Sequence, residues 1–394
     1  MNRFFMLLIC TLGFLIYSCN TGVDYSIRVL TNIEQTTLWA ELFMAEHPME
    51  KVELVFEDDI SLYLSQHNDI DLVITDTTLE HSYFLPYPNK NNRIADGKRF
   101  YSGILKMPGN SDGIKFFPIS FDLPIFVAKK DSFTDYSDGI LIDIKSAKKM
   151  AAEKTMIKNN KLKDPVFFPV FSDDFIMDSL HLFKVNFVKA NNNKIIWDNR
   201  ELEAFTDFIA DWYIASKTDY TIAKNYGDKY LRLPQEQCIL QDRTGMMYMR
   251  LSDFFSIREE SREKLDFKFL SGDSIVPATG RLVYAAVPVR SKKQDISELF
   301  LNWLFDQDTQ KRIIEYTKEQ GLPFFGMAGG LSSITEISEA VFPIAYRELA
   351  GKIPESEHIM FSPPQEEDIK KFIEKKLLPW LDEILAKKSN RPLE

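Results

Sequence analysis

Cysteine is nearly missing from this chain of 394 residues: Cys10, Cys19 and Cys238 are all it has. Cys10 and Cys19 belong to an apolar leader, so an exported mature chain keeps no pair for an internal disulfide and must draw its stability from an apolar core. Cys238 sits in QEQCILQ beside Ile239 and Leu240, the setting of a buried, inert thiol rather than a reactive one. Histidine is scarce as well. His47, His67, His81, His181 and His358 are scattered without the spacing of metal ligands, which argues against a zinc site or a histidine-based triad. There is no G-x-S-x-G elbow, P-loop, H-E-x-x-H or G-x-G-x-x-G. Positive charge is in deficit: 48 Lys and Arg stand against 58 Asp and Glu, for a net charge of −10. With no basic stripe, nucleic acid is excluded as a partner. No internal repeat or low-complexity block is present, and no apolar run reaches the roughly 20 residues that span a bilayer.

What is present starts with residues 1–19, MNRFFMLLICTLGFLIYSC. Arg3 gives a positive start, Phe4 to Ile16 is apolar except at Thr11 and Gly13, and Ile16-Tyr17-Ser18-Cys19 follows. An apolar residue, two short positions and cysteine resemble a bacterial lipoprotein signal. That resemblance implies loss of residues 1–18, lipid on Cys19, a tether over 19–24 and a place on the extracytoplasmic face of the cell membrane. Read from the residues alone, an ordinary cleaved signal or a marginal anchor stays open.

A content of 45% apolar and 27% charged residues is that of a globular protein, long enough for two domains. Tyr25 to Leu30 alternates as a strand; Leu38, Trp39, Leu42 and Phe43 follow at helical spacing up to His47-Pro48. Val52–Phe56 and Asp71–Asp76 are further strands. Strand, helix, strand, helix, strand builds a parallel α/β sheet, whose ligands lie beyond the carboxyl ends of its strands. That places Thr31, Asn32, Asp58, Thr75 and Asp76 on one rim. Phe116 to Asp131 is extended and contains Pro118 and Pro124, as in a crossover between two lobes. Helices are predicted over 141–157 and 173–189, and from a capping box at Asp198-Asn-Arg-Glu201. Strands are predicted over 244–250 and 282–289. Another helix is predicted with its cap at Asp295–Glu298, then a helix from about Asp308 to Gly321, and an amphipathic tail from Glu366, kinked at Pro379.

The acidic pairs Asp58-Asp59 and Asp173-Asp174 read as loop ends or helix caps rather than acid/base catalysts. Tyr226 and Tyr230 stand one turn apart but lack the further ligands of a ferric site. What remains is binding chemistry. Aromatics make up 13% of the chain, and Phe167-Phe168, Phe254-Phe255 and Phe324-Phe325 fall in predicted loops. A polyol needs flat apolar faces for its C–H surface and planar carboxylates or amides for its hydroxyls. Burial in the core is the alternative for each of these rings.

The order of segments resembles the extracellular solute-binding proteins of ABC importers, in their maltose-binding-like form. Residues 27–59, IRVLTNIEQTTLWAELFMAEHPMEKVELVFEDD, are similar to that family's opening strand, helix and strand. DIDLVITD (69–76) resembles its third strand and FFPISFDLPIFVAKKD (116–131) its hinge strand. NNNKIIWDNRELEAFTDFIADWY (191–213), DRTGMMYMR (242–250) and residues 285–326 resemble later segments, so the likeness covers about residues 25–326. It implies a two-lobe, hinge-connected periplasmic-binding-protein fold (type II) around a central cleft. The N-terminal lobe would comprise 25–127 and 275–327, and the C-terminal lobe 128–274 and 328–390. Carried over by position, Asp122 matches the hinge carboxylate that binds a sugar hydroxyl, and Phe167 and Phe168 an aromatic wall. Asp253 and Phe254 stand near the family's G-x-W, which is missing here. Trp39 reaches the cleft or packs in the core. Asn32 and Asp76 complete the candidate ligand set. The resemblance further implies a monomer without catalysis, cofactor or metal that delivers a small solute, carbohydrate above others, to transporter permease subunits. The rivals are an orphan lipoprotein of the same fold, acting at the surface as a sensor or interaction protein with a degenerate cleft, and a secreted hydrolase with paired cleft carboxylates.

Overall fold

Strict alternation and short apolar runs near the start of the chain become three parallel strands, β1 (Ser26–Thr31), β2 (Lys51–Phe56) and β3 (Leu72–Thr75). The protein is seen in a computed structural model that describes residues 26–86, 97–106, 110, 113–159, 161–190, 194–279, 281–362 and 367–390. The leader, Cys19 and the tether lie outside them. β4 (Phe117–Phe121), β14 (Leu282–Ala286) and β15 (Leu331–Ser332) extend the sheet to the order β15-β4-β14-β3-β1-β2, with β14 antiparallel to both β3 and β4. The helix Thr36–Glu46 covers this sheet because Trp39 and Phe43 share one buried face. Phe43 meets Phe300 and Trp303 of helix Gln294–Leu304 edge-on, with centroids 5.0 and 5.5 Å away.

The second sheet comprises β5 (Pro124–Lys129), β6 (Leu141–Asp143), β11 (Met246–Arg250) and β12 (Leu265–Ser271), in the order β11-β5-β12-β6. Both its faces are buried, and its side chains alternate between two cores. Ile125, Val127, Met247 and Met249 continue the core of the first sheet. Phe126, Ala128, Met246 and Tyr248 enter a separate core under helices Asp173–Leu182 and Asn199–Ala215. Asp198 caps the second of these helices by accepting from the Arg200 N–H at 2.8 Å. Two small hairpins, β7 (Met156–Lys158) with β8 (Lys161–Asp164) and β9 (Val188–Lys189) with β10 (Ile195–Ile196), complete this lobe. Three passages of chain connect the lobes: Asp122-Leu123, the stretch through β13 (Val276–Ala278), and the return through β16 (Ile359–Phe361), which pairs with β13 in parallel.

Several expected elements come out differently. The helix expected over 141–157 spans Ile144–Lys154 between β6 and β7, because Asp143 caps it. The one expected over 173–189 stops at Leu182. Asp295 stands in the first turn of its helix rather than capping it. Residues 328–390, expected together in the second lobe, divide. β15 pairs with β4, and Ile337, Phe342, Tyr346 and Leu349 join the core of the first lobe, so only the last helical run packs on the second. Pro379 does not produce a bare kink. It falls within the first two residues of Leu378–Ser389, directly after a π-helical turn at Ile373–Leu377 that accommodates its missing N–H.

A very close backbone approach lies between the residue before β15 and the hinge strand. A Cβ on Gly330 would stand 2.5 Å from the Phe121 carbonyl oxygen, closer than real side chains come. Phe121 itself packs edge-on against Tyr101 and Phe361, so backbone and ring are both enclosed. Gly330→Ala is expected to cost about 1–3 kcal/mol through forced separation of β15 from β4. An unchanged urea midpoint would show that the strand pair yields freely.

Candidate functional site

The carboxyl ends of β1 and β3 bring Asn32 and Asp76 together. Asn32 Nδ2 donates to Asp76 Oδ1 at 2.8 Å, and the Arg281 guanidinium approaches Asp76 Oδ2 at 3.4 Å from the end of the second lobe crossing. Asp76 and Arg281 remain partly open to solvent, with side chains 30% and 47% exposed. Asn32 Oδ1 is buried and, among the described residues, accepts from nothing. An amide, a carboxylate and a guanidinium thus share one edge of the first sheet, each with hydrogen-bonding capacity to spare.

At the crossing itself lies Asp122, 2% exposed. Its carboxylate accepts from the Leu123 N–H at 2.8 Å, from the Ser252 N–H at 3.3 Å and from the Ser252 hydroxyl. Its own N–H donates to the Arg281 carbonyl at 3.1 Å, joining the first crossing to the second. Burial pushes the carboxyl up to about 6, against the pull of the Ser252 hydrogen bond and the Arg250 charge. Asp122 is a clasp between lobes, with both oxygens turned to protein.

The facing wall is set by the end of β11. Arg250 pairs with Asp178 at 2.9 Å, and Asp178, 1% exposed, also accepts from the Tyr248 and Thr279 hydroxyls. A carboxylate on helix Asp173–Leu182, a strand end and a lobe crossing are so fastened by one buried network. Within it Arg250 Nη2 donates to Asp178 at 3.2 Å, while Nη1 stays within ion-pair distance without a directed hydrogen bond. Asp253 follows in the first turn of helix Leu251–Ser256, where it accepts from the Arg250 N–H at 3.3 Å. The protein packed behind it raises its carboxyl, against the backbone N–H and Arg250. Arg281 also acts on Asp253, which places the two walls within electrostatic reach. Asp253 further lines a pocket of about 530 Å³ with Gln235, Glu236, Met249 and Arg258.

The aromatic candidates go elsewhere. Phe167 and Phe168 are fully buried in the second core: Phe167 meets Phe126, Phe175 and Trp212 edge-on, and Phe168 stacks on Tyr213 at 5.6 Å. They are core, not a ligand wall, because helix Asn199–Ala215 covers their loop. Phe254 packs against Phe267 at 4.9 Å and is 1% exposed. Trp39 is fully enclosed under its helix. Tyr226 donates its hydroxyl to the Arg243 carbonyl, Asp59 caps a helix through the Leu62 N–H, and Asp173 and Asp174 occupy a first turn capped by Ser172. Cys238 is buried, which raises its thiol.

Sequence reading did not find Arg250, Asp178, Thr279 or Arg281. Only Asp178 left a local signal, a carboxylate among Ile176, Met177 and Leu180 on a helix that faces the core.

No protein-family model matches the sequence, and no curated protein matches it. Solved structures do. A sugar transporter from Rhizobium etli in an open conformation superposes with a TM-score of 0.64 at 14% identity, over 93% of this chain and 95% of that one. The ABC substrate-binding protein of Listeria monocytogenes in complex with cycloalternan gives 0.60 at 13%, over 92% and 94%. Thiaminase I from Bacillus thiaminolyticus gives 0.55 at 11%, over 93% and 100%. The protein therefore has the two-lobe, mixed α/β fold of the maltose-binding-like solute-binding proteins. An enzyme shares that fold, so architecture by itself does not choose between capture and catalysis.

A pH test separates the clasp from an ordinary surface carboxylate. A folded-state value near 6 lies above the ordinary 3.8, so the folded protein holds this proton more tightly than the unfolded chain. The stability linked to it is complete below about pH 4 and is lost as pH rises through about 6. Two units correspond to about 3 kcal/mol. The urea-unfolding difference between Asp122→Asn and the parent protein is expected to change by about that amount between pH 4 and pH 7.5, in the variant's favour at the higher pH. Parallel stability profiles would refute the assignment.

Proposed function

We propose that this protein is an extracytoplasmic solute-binding protein, anchored by lipid on Cys19, that captures a small solute and hands it to the permease subunits of an ABC transporter. Carbohydrate is the favoured class of solute. The observation that carries the reading is the placement of Asn32, Asp76 and Arg281 at the strand ends of one lobe opposite Asp253 of the other, beside the crossings on which the lobes turn. Ligand would act by population shift, stabilising a closed arrangement through contacts with both walls. The chain itself would do no chemistry. The sugars bound by structural neighbours, mannobiose, cycloalternan and maltose among them, support the carbohydrate assignment.

One observation favours a second reading. Phe167, Phe168, Phe254 and Trp39 are all buried, so the aromatic wall expected of a sugar cleft is missing from those positions. An orphan member of the fold, acting at the surface as a sensor or interaction protein, needs no such wall.

Thermal-shift screening of the mature chain with mannobiose, maltose, cycloalternan, polyols and polyamines distinguishes the two. Capture predicts at least one ligand that raises Tm, by about 2.7 kcal/mol of added stability at a hundredfold excess over Kd. The shift should fall sharply in Arg281→Ala and Asp76→Ala, whose ligand-free Tm should stay close to the parent's. No shift across the panel would favour the second reading.

A further inference from the structure

The second lobe carries a concave groove that takes no part in the hinge. Helix Asn199–Ala215 presents Asn199, Leu202, Glu203 and Thr206 along one face, at the i, i+3, i+4, i+7 spacing that aligns side chains on a helix. The last helical run lays Phe372, Leu377 and Trp380 opposite, and Trp197 closes one end. The groove is half open to solvent and has a volume of about 500 Å³, within the range of small-molecule sites. Leu202 and Leu377 form a buried floor, while Trp380 stays 41% exposed. Trp197 is half-buried and leans on Phe372 with centroids 5.4 Å apart, which fixes its ring.

The polar groups around these rings divide into engaged and free. Lys388 is engaged: its ammonium donates to the Thr206 hydroxyl at 2.8 Å and pairs with Asp207 at 2.6 Å. The side chains of Asn199, Glu203 and Lys376, and the indole N–H groups of Trp197 and Trp380, have no partner among the described residues. An amide, a carboxylate and an ammonium therefore stand unspent around two indoles.

We propose that this groove is a second ligand site, separate from the cleft between the lobes, that takes a pyranose ring of an oligosaccharide. The C–H face of a pyranose matches an indole face, and its hydroxyls both donate and accept, as Glu203, Asn199 and Lys376 together require. A hydrocarbon chain would leave those three groups unpaired against it, at a cost for each. An anionic lipid surface is opposed by Glu203 and by the chain's net charge of −10. The proposal does not depend on the solute-capture reading, because no residue of the groove touches the crossings.

The test uses the mature protein with maltose, mannobiose and cellobiose as probes, followed by saturation-transfer NMR and calorimetry. Asp76→Ala removes the interlobe wall, Trp380→Ala the exposed indole, and Glu203→Gln changes only a surface carboxylate. At least one disaccharide should still bind Asp76→Ala, through the groove alone. Its affinity should fall about tenfold or more in Trp380→Ala, and also fall in Glu203→Gln. The proposal is overturned if none of the three disaccharides binds Asp76→Ala, or if both groove variants bind like the parent. Binding lost only in Asp76→Ala would place the sugar in the cleft and leave the groove without a role.

Discussion

Two residues, Asp122 and Leu123, separate the last residue of β4 from the first of β5, and the geometry of both lobes is referred to that step. β5 is an interior strand, flanked by β11 and β12 and buried on both faces. Its odd-numbered side chains extend one core and its even-numbered ones the other. A change of direction at Asp122 would therefore shift both cores at once. The same step accepts the Leu251 N–H at the Leu123 carbonyl and gives the Asp122 N–H to Arg281. A carboxylate enclosed at this position is held in place by the Ser252 backbone and hydroxyl, and Gly330 lies flat against the strand that leads into it.

The parts of the fold that were legible are those written in local pattern. β1 to β3, the helix bearing Trp39 and Phe43, and the proline-marked crossing each follow from a period or a turn residue within a few positions. The return of residues 331–349 to the first lobe has no such signature. β15 is two residues long, and its place is decided by a pairing with Phe121 and Ser120 some 210 positions earlier in the chain. Asn32 and Asp76 could be placed on one rim because each directly follows a strand whose apolar pattern is local, an alternating β1 and a short apolar run in β3. Arg250, Asp178 and Thr279 were not, because their meaning lies in a contact between three distant segments. The Phe167-Phe168 doublet reads identically whether its loop is bare or covered. Helix Asn199–Ala215 covers it, through Trp212 and Tyr213, and no local pattern announces that.

The lobes are not joined only by covalent chain. Phe255 stacks on Phe325 at 4.5 Å with rings nearly parallel, and both meet Tyr346. Beside them Arg262, 8% exposed, pairs with Glu348. Separating these surfaces would expose three aromatic rings and leave a buried guanidinium without its carboxylate, one of the costlier events in a protein interior. Movement that widens the cleft is therefore expected to turn about this edge rather than to open it.

That division explains where charge has been left available. Along the Phe255–Phe325 edge and in the Asp178 network most polar groups are engaged with one another, with Arg250 Nη1 the exception, so little of their charge is left for solvent. Asp76, Arg281 and Asp253 stand instead where solvent reaches, in pairs long or exposed enough that their mutual attraction is small. A polar solute that replaced water there would strengthen each of those interactions, because the surrounding dielectric falls as the walls approach. The same three residues in open water contribute little to stability. On the capture reading proposed for this protein, their value would come with closure around a solute.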